Sequence, residues 1–264
     1  MVRRSRYLRG PSMSTARRRQ SKKPDANQKD ASHEILFGRH AVEAALNNPD
    51  RRFISLHLTR NGLRDMADIK LPCPALESRP EELQRIIGHD EAHQGMLLKA
   101  EPLKVFDEDD LIQNAQEETF RAVMLDQVTD PRNVGAIMRS AVAFGIHHVI
   151  LQNRNSPRLD GVTAKTASGA REKISVYSVT NLSRCLDQAS DHGITSIGLD
   201  GHAEMMINHS GLKSAKIIVM GAEGKGLRRL VGEHCTQLAA IPIEGVESLN
   251  VSNAAAVTFY AWTR

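Results

Sequence analysis

The sequence predicts an α/β protein: a mostly parallel sheet in the second half, a small α/β unit ahead of it, and a basic tail at the N-terminus. Three observations carry this. Beyond residue 120 short apolar runs alternate with helical runs, the pattern of a parallel sheet covered on both faces. Three segments rich in Gly, Asn, Ser, Arg and Glu stand where a strand gives way to a helix: Asp126–Gly145, Val219–Leu227 and Ile241–Ala254. In an open α/β sheet that junction is where ligands bind. Charge is also divided unevenly. Residues 1–30 hold ten Lys/Arg against Asp25 and Asp30, a net of +8, so the rest of the chain carries −4 of the overall +4.

The tail, taken as residues 1–32, has few apolar residues and no helical periodicity, and is expected to be disordered. It reads as a flexible arm for nucleic acid, with an inert solubilising tail and an organellar transit peptide as alternatives. The 264 residues are 41% hydrophobic and 25% charged, an ordinary soluble composition with room for one large or two modest domains. No run nears the roughly 18 apolar residues of a membrane span, and no apolar h-region follows Met1. Cys73, Cys185 and Cys235 are far apart and form no CxxC pair, which suits a reducing compartment. The cytoplasm is the expected location, with an organellar matrix the minor alternative.

The first unit spans residues 33–104. Ordered sequence begins near Ile35, and His40–Leu46 is helical, with Ala41, Val42, Ala45 and Leu46 on one face. Asn47-Asn48-Pro49 stops it. Phe53–Leu58 alternates as a strand, Arg60–Leu71 reads as helix, Ala75–Glu77 as strand, and Pro80–Ile87 as a helix opened by its proline. Met96–Ala100 is a strand. His89 and His93 stand at i, i+4, but not in HExxH order, and no metal is expected there. Residues 105–119 are acidic and read as a solvated, partly helical linker.

The second unit, residues 120–264, alternates. Strands are expected at Arg121–Leu125, His148–Leu151, Ser175–Val179, Ser196–Leu199, Lys216–Met220 and Gln237–Ile241. Helices are expected at Val134–Phe144, Asn181–His192, Leu227–His234 and Val251–Thr263. In the first junction Asp130-Pro131 turns the chain and Asn133 can cap the helix. Val134, Ile137, Met138, Ala141 and Val142 line an apolar face, Gly145 stops the helix, and Arg139 lies off that face, free for a phosphate or for solvent. In the second junction GAEGKG has three glycines, more than an ordinary turn needs, together with Glu223. It is neither a Walker loop, since Gly226 follows Lys225, nor GxGxxG, which removes a nucleotide-dependent switch. In the third, Ser248 or Asn250 can cap the last helix, which continues with polar Ser252 and Asn253. Thr166–Glu172, after Lys165, is a small-residue turn with two cations, on its residues a solvated loop.

In residue type, order and spacing, the three junctions resemble the three motifs of the SpoU (TrmH) family of RNA 2′-O-ribose methyltransferases. GRHAVEAAL at 38–46 and HQG at 93–95 resemble the substrate-binding domain that precedes SpoU catalytic domains. By its resemblance to a stretch of the family's enzymes, Thr166–Glu172 is expected near an RNA entrance. The resemblance spans residues 34–264, and Asn253 departs from it where the family has valine or a small apolar residue. It implies a trefoil-knotted SPOUT fold, a homodimer with active sites near the subunit interface, and S-adenosylmethionine bound with no metal. Asn133, Arg139, Glu223, Ser248 and Asn250 match the family's functional residues. Gly221, Ile241 and Leu249 match positions whose backbone meets the cofactor. The resemblance puts Arg139 at the reacting hydroxyl. A guanidinium stays protonated, so a phosphate grip and alkoxide stabilisation suit it better than a base role. Within the family the nearest pattern is that of bacterial enzymes methylating a guanosine 2′-hydroxyl in large-subunit ribosomal RNA. A transfer-RNA enzyme and a catalytically idle RNA-binding assembly factor are the alternatives.

Overall fold

The computed structural model describes residues 33–207 and 210–264, and the expected disorder of the tail lies outside them. Seven parallel strands form the large sheet: β5 (Val105–Phe106), β6 (Ala122–Leu125), β7 (His148–Gln152), β8 (Ser175–Val179), β9 (Ser196–Leu199), β10 (Ile217–Met220) and β11 (Gln237–Ala239). Their spatial order is β11-β9-β10-β6-β7-β8-β5. The chain builds outward from β6 through β7 to β8, then crosses to the other half. The strand order therefore reverses between β6 and β10, the switch point at which a doubly wound sheet opens a crevice.

Successive residues of each strand point to opposite faces, and here both faces are covered. Val123, Leu125, Val149, Val176, Ile218 and Met220 pack against α5 (Pro131–Ala143) and α9 (Val251–Thr263), through Val134, Ile137, Met138, Ala255, Phe259 and Trp262. Ala122, Met124, Ile150, Tyr177, Ile217 and Val219 pack on the opposite side against α4 (Glu108–Asn114), α7 (Leu182–Asp191) and α8 (Arg229–Glu233). The central strands β6 and β10 are therefore apolar without a break, while β8 and β9 carry Ser178 and Ser196.

The acidic stretch expected as a solvated linker is more than that. β5 pairs with β8 as an edge strand, and Leu111 of α4 is fully buried. A two-residue strand and a helix with one buried apolar residue leave too little pattern to read. The expected turn at Thr166–Glu172 also differs. Residues Gly161–Ala167 form α6, and Ala170–Lys173 form a 3-10 turn with Arg171 buried. Its small residues give α6 no apolar period, yet α5 lies so close that a Cβ on Gly135 would stand 2.5 Å from the Thr163 carbonyl oxygen.

The four-stranded sheet has the order β1-β4-β2-β3, from β1 (Glu34–Phe37), β2 (Phe53–Leu58), β3 (Ala75–Glu77) and β4 (Met96–Ala100). Only the β2–β3 pair is parallel. Helix α1 (Arg39–Leu46) covers it, with α2 (Arg60–Asp65) and α3 (Pro80–Ile87) at its margins; α2 ends sooner than Leu71, capped at Met66. Ala164 of α6 enters this core, and a charged seam beside it ties the two sheets together. Arg51 donates to both oxygens of Glu172 through Nε (2.9 Å) and Nη2 (2.7 Å), and to Glu34 through Nη1. Burial alone would depress the Arg51 pKa; the hydrogen bonds and charges of Glu172 and Glu34 outweigh it and hold it above the ordinary value. Among the described residues, no helix is long and apolar enough to cross a membrane.

Candidate active site

The site is built at the C-terminal ends of β9, β10, β11 and β6. Beyond Met220 the chain makes a tight loop in which Ala222 and Gly226 exchange backbone hydrogen bonds of 3.1 and 2.9 Å. The loop turns back on itself so closely that a Cβ at Gly221 would stand 2.1 Å from the Gly226 carbonyl carbon. Only glycine fits, so backbone forms that wall. The loop is anchored from below: buried Asp126, the first residue past β6, accepts from Arg228 N (2.8 Å) and Arg228 Nε (2.7 Å). The Arg228 guanidinium also donates to Gln152 Oε1 at 3.2 Å.

This loop and the segment 241–249 enclose a cleft of about 490 Å³, within the size range of small-molecule sites. Leu199, Met220, Ile241 and Leu249 supply apolar wall, and Asp200, Glu223 and Glu247 supply carboxylates. Gly221, Ile241, Leu249, Glu223 and Ser248 therefore all line one cleft. So do Asp200, Gly201 and His202, which the motif reading missed. Their signal was available: LDGH runs on from the strand Ser196–Leu199, at the end of the sheet where ligands bind.

At the rim, three residues from the three junctions meet. Asn250 Nδ2 donates to Asn133 Oδ1 at 3.1 Å and lies 3.4 Å from Glu223 Oε2. Asn133 Nδ2 donates to the same Glu223 oxygen at 3.4 Å. Asn250 has two tasks. Its Oδ1 caps α9, accepting from Ser252 N (2.9 Å) and Ser252 Oγ (2.6 Å), while its amide reaches the rim. Asn133 does not cap α5, contrary to expectation. Asp130 does, accepting from Arg132 N at 2.9 Å, with Pro131 in the first turn. Asn133 is thereby left one turn inside the helix with its amide free for the rim.

Arg139 is not brought into this cluster. It lies six residues beyond Asn133 on α5, roughly 240° around and 9 Å along the helix. It is exposed and makes no hydrogen bond or ion pair among the described residues. Among those residues His202 is the one histidine lining the cleft. Nor is any group of three or more described His, Cys, Asp or Glu side chains arranged to hold a metal ion.

An S-adenosylmethionine molecule fits what is present. The apolar walls suit an adenine, the glycine cradle leaves backbone groups to read it, and the carboxylates suit a cationic sulfonium.

Comparison with known proteins agrees with this geometry. The model of the SpoU rRNA Methylase family matches residues 121–260, and that for RNA 2′-O ribose methyltransferase substrate binding matches residues 35–106. The chain is 38% identical over 240 residues to the 23S rRNA (guanosine-2′-O-)-methyltransferase RlmB of Photorhabdus laumondii, covering 88% of this chain and 98% of that protein. It is 36% identical to the protein of the same name from Escherichia coli K12, covering 88% and 98%. In fold it is similar to the SpoU methyltransferase AviRb of Streptomyces viridochromogenes, solved with AdoMet (TM-score 0.75, 21% identity, 88% and 90% covered). It is also similar to an AdoMet-bound rRNA methyltransferase from Sinorhizobium meliloti (TM-score 0.69, 20% identity, 87% and 86% covered).

Proposed function

The chain belongs to the SpoU rRNA Methylase family, and from that premise we propose that it methylates the 2′-hydroxyl of a guanosine in 23S ribosomal RNA. The observation that carries this is the meeting of Asn133, Glu223 and Asn250 at the rim of a glycine-cradled cleft. The curated relatives are named for this reaction, which favours it over a transfer-RNA substrate or an idle assembly factor.

S-adenosylmethionine, when bound, supplies a methyl group on a sulfonium open to attack by an oxygen. Gly221, Ile241 and Leu249 would hold it through backbone, with Ser248 at the cleft edge. Asn133, Glu223 and Asn250 orient the ribose, exchanging their long mutual hydrogen bonds for shorter ones to the hydroxyl. Arg139 grips the phosphate beside the target and stabilises the oxygen as its proton leaves to water or a phosphate oxygen. Because Arg139 stands apart from the rim cluster within one chain, the reading includes a homodimer in which a second copy completes the site. The trefoil knot and the cytoplasmic location go with it. Residues 33–104 serve as the RNA substrate-binding domain and the basic tail as an electrostatic arm.

Incubating the full chain with in-vitro-transcribed 23S ribosomal RNA and methyl-labelled cofactor tests this. We expect label at one guanosine ribose. Label confined to transfer RNA, or on a base, overturns it.

A further inference from the structure

Between α3 and β4 the chain runs through residues 88–95, a loop whose first and last residues are glycines at positive φ, 92° at Gly88 and 78° at Gly95. Gln84 Nε2 steadies it by donating to the Glu91 carbonyl at 2.8 Å. The loop carries Glu91 across to the large sheet's helices, where the carboxylate accepts from Arg132 Nη2 at 2.9 Å and from Lys165 Nζ at 3.1 Å. Arg132 belongs to α5 and Lys165 to α6, so two cations from separate elements converge on one anion. Glu91 and Arg132 border an open hollow of about 340 Å³ that Asp90, Asp130, Pro131 and Val162 also line, and Lys165 reaches Glu91 from outside that lining.

Arg132 precedes Asn133 of the rim cluster. It also lies seven residues before Arg139, which on a helix places both on one stripe, about 10 Å apart. Both are exposed. An RNA strand gripped at Arg139 and followed along α5 therefore meets Arg132 next, with Lys165 beside it. There it finds Glu91, an anion in the path of a polyanion. Two like charges cannot share that position at close range.

We propose that Arg132 and Lys165 form a second phosphate site for the RNA backbone, and that Glu91 occupies it until RNA arrives. The carboxylate stands in for a phosphate oxygen pair, and the loop 88–95 swings it away as the strand docks. This inference rests on the reading that the chain binds and methylates RNA.

The test is a cycle of RNA affinities with in-vitro-transcribed 23S ribosomal RNA, with ribose methylation measured on the same samples. Glu91→Ala removes the occupant, and should tighten binding about fivefold. In the Arg132→Ala/Lys165→Ala background the same change should do nothing, because the phosphate site is gone. The double variant itself should lower the salt slope by roughly 0.7 for each single-strand phosphate it no longer neutralises. Glu91→Gln, which keeps shape, should behave as Glu91→Ala does. Equal tightening in both backgrounds would mean a general charge effect and overturn the proposal. Weaker binding by Glu91→Ala, with an unchanged slope in the double variant, would make the ion pairs a structural tie and overturn it too. Normal methylation alongside either result would leave the function standing. Failure of binding and methylation in every protein, wild type included, would overturn both.

Discussion

Two polar networks join distant parts of this chain, and they are built to opposite specifications. The seam around Arg51 is buried, forked and short, with a bidentate pair to Glu172 at 2.7 and 2.9 Å and the Arg51 side chain fully inaccessible. The rim cluster of Asn133, Glu223 and Asn250 borders solvent and is long, at 3.1 to 3.4 Å. Breaking a buried, hydrogen-bonded charge pair is costly, so the first network belongs to the fold. Hydrogen bonds of the second kind stabilise little, and their groups can be handed to a ligand at small cost.

The largest way to break this contrast is at Arg51. Arg51→Ala takes the main cation from the largely buried Glu172 and Glu34, leaving Glu172 only Asn48 Nδ2 at 2.7 Å and Glu34 only Arg171 at 3.9 Å, and should cost about 3–5 kcal/mol in denaturant unfolding. Replacing Arg51 with Met and Glu172 with Leu together should recover much of that. A destabilisation below about 1 kcal/mol for the single variant would place the seam with ordinary surface pairs.

Arg139→Lys should lower the methylation rate about a hundredfold with unfolding unchanged, since the ammonium keeps charge but not the planar fork. Near-normal turnover would remove the phosphate grip. Gly221→Ala should weaken cofactor binding about tenfold or more, the equivalent of about 1.4 kcal/mol, read by calorimetry. Its Cβ has no room beside Gly226, so the cleft loop must move. Unchanged affinity would show that backbone closeness there does not shape the cleft.

The smallest effect concerns the far end of the sheet. Burial, and next the neighbouring His147, hold the His148 pKa below its ordinary 6.5. The unfolded chain then binds more protons than the folded one just below pH 6.5. The contribution is present above that pH and is lost as pH falls through it toward the folded pKa. His148→Phe should flatten that part of the stability profile. A profile identical to wild type would assign the slope elsewhere, to His57 and His93, whose pKa values burial also lowers.

The same contrast explains what could be read from sequence. The strand cores and the three junctions were legible because both rest on local pattern: apolar runs such as Ile217–Met220, and glycine with Asn, Ser or Glu directly after them. A cap at Ser248 or Asn250 was legible for the same reason, and the structure selects Asn250. The seam was not, since Arg51 and Glu172 lie 121 residues apart and neither has a local signature. Asp126 was hidden likewise, its partner Arg228 being 102 residues away. Asn133 was misread as a cap because Asp130, three residues earlier, is an equally good one, and only the helix start decides between them. Helix α6 escaped because GVTAKTA offers no apolar period; it is stabilised by packing against α5 and the small sheet.

The most direct measurement is on Glu223, which two rim residues share. Single-turnover methylation of 23S ribosomal RNA by Glu223→Gln should be compared with wild type, alongside thermal unfolding of both proteins. The amide keeps the size of the carboxylate but not its charge. We expect a rate lower by about a hundredfold or more, with an unfolding midpoint within about 1 °C of wild type. An unchanged rate, or a slower rate matched by a fall of many degrees in the midpoint, would contradict the assignment of the rim cluster to the reaction rather than to the fold.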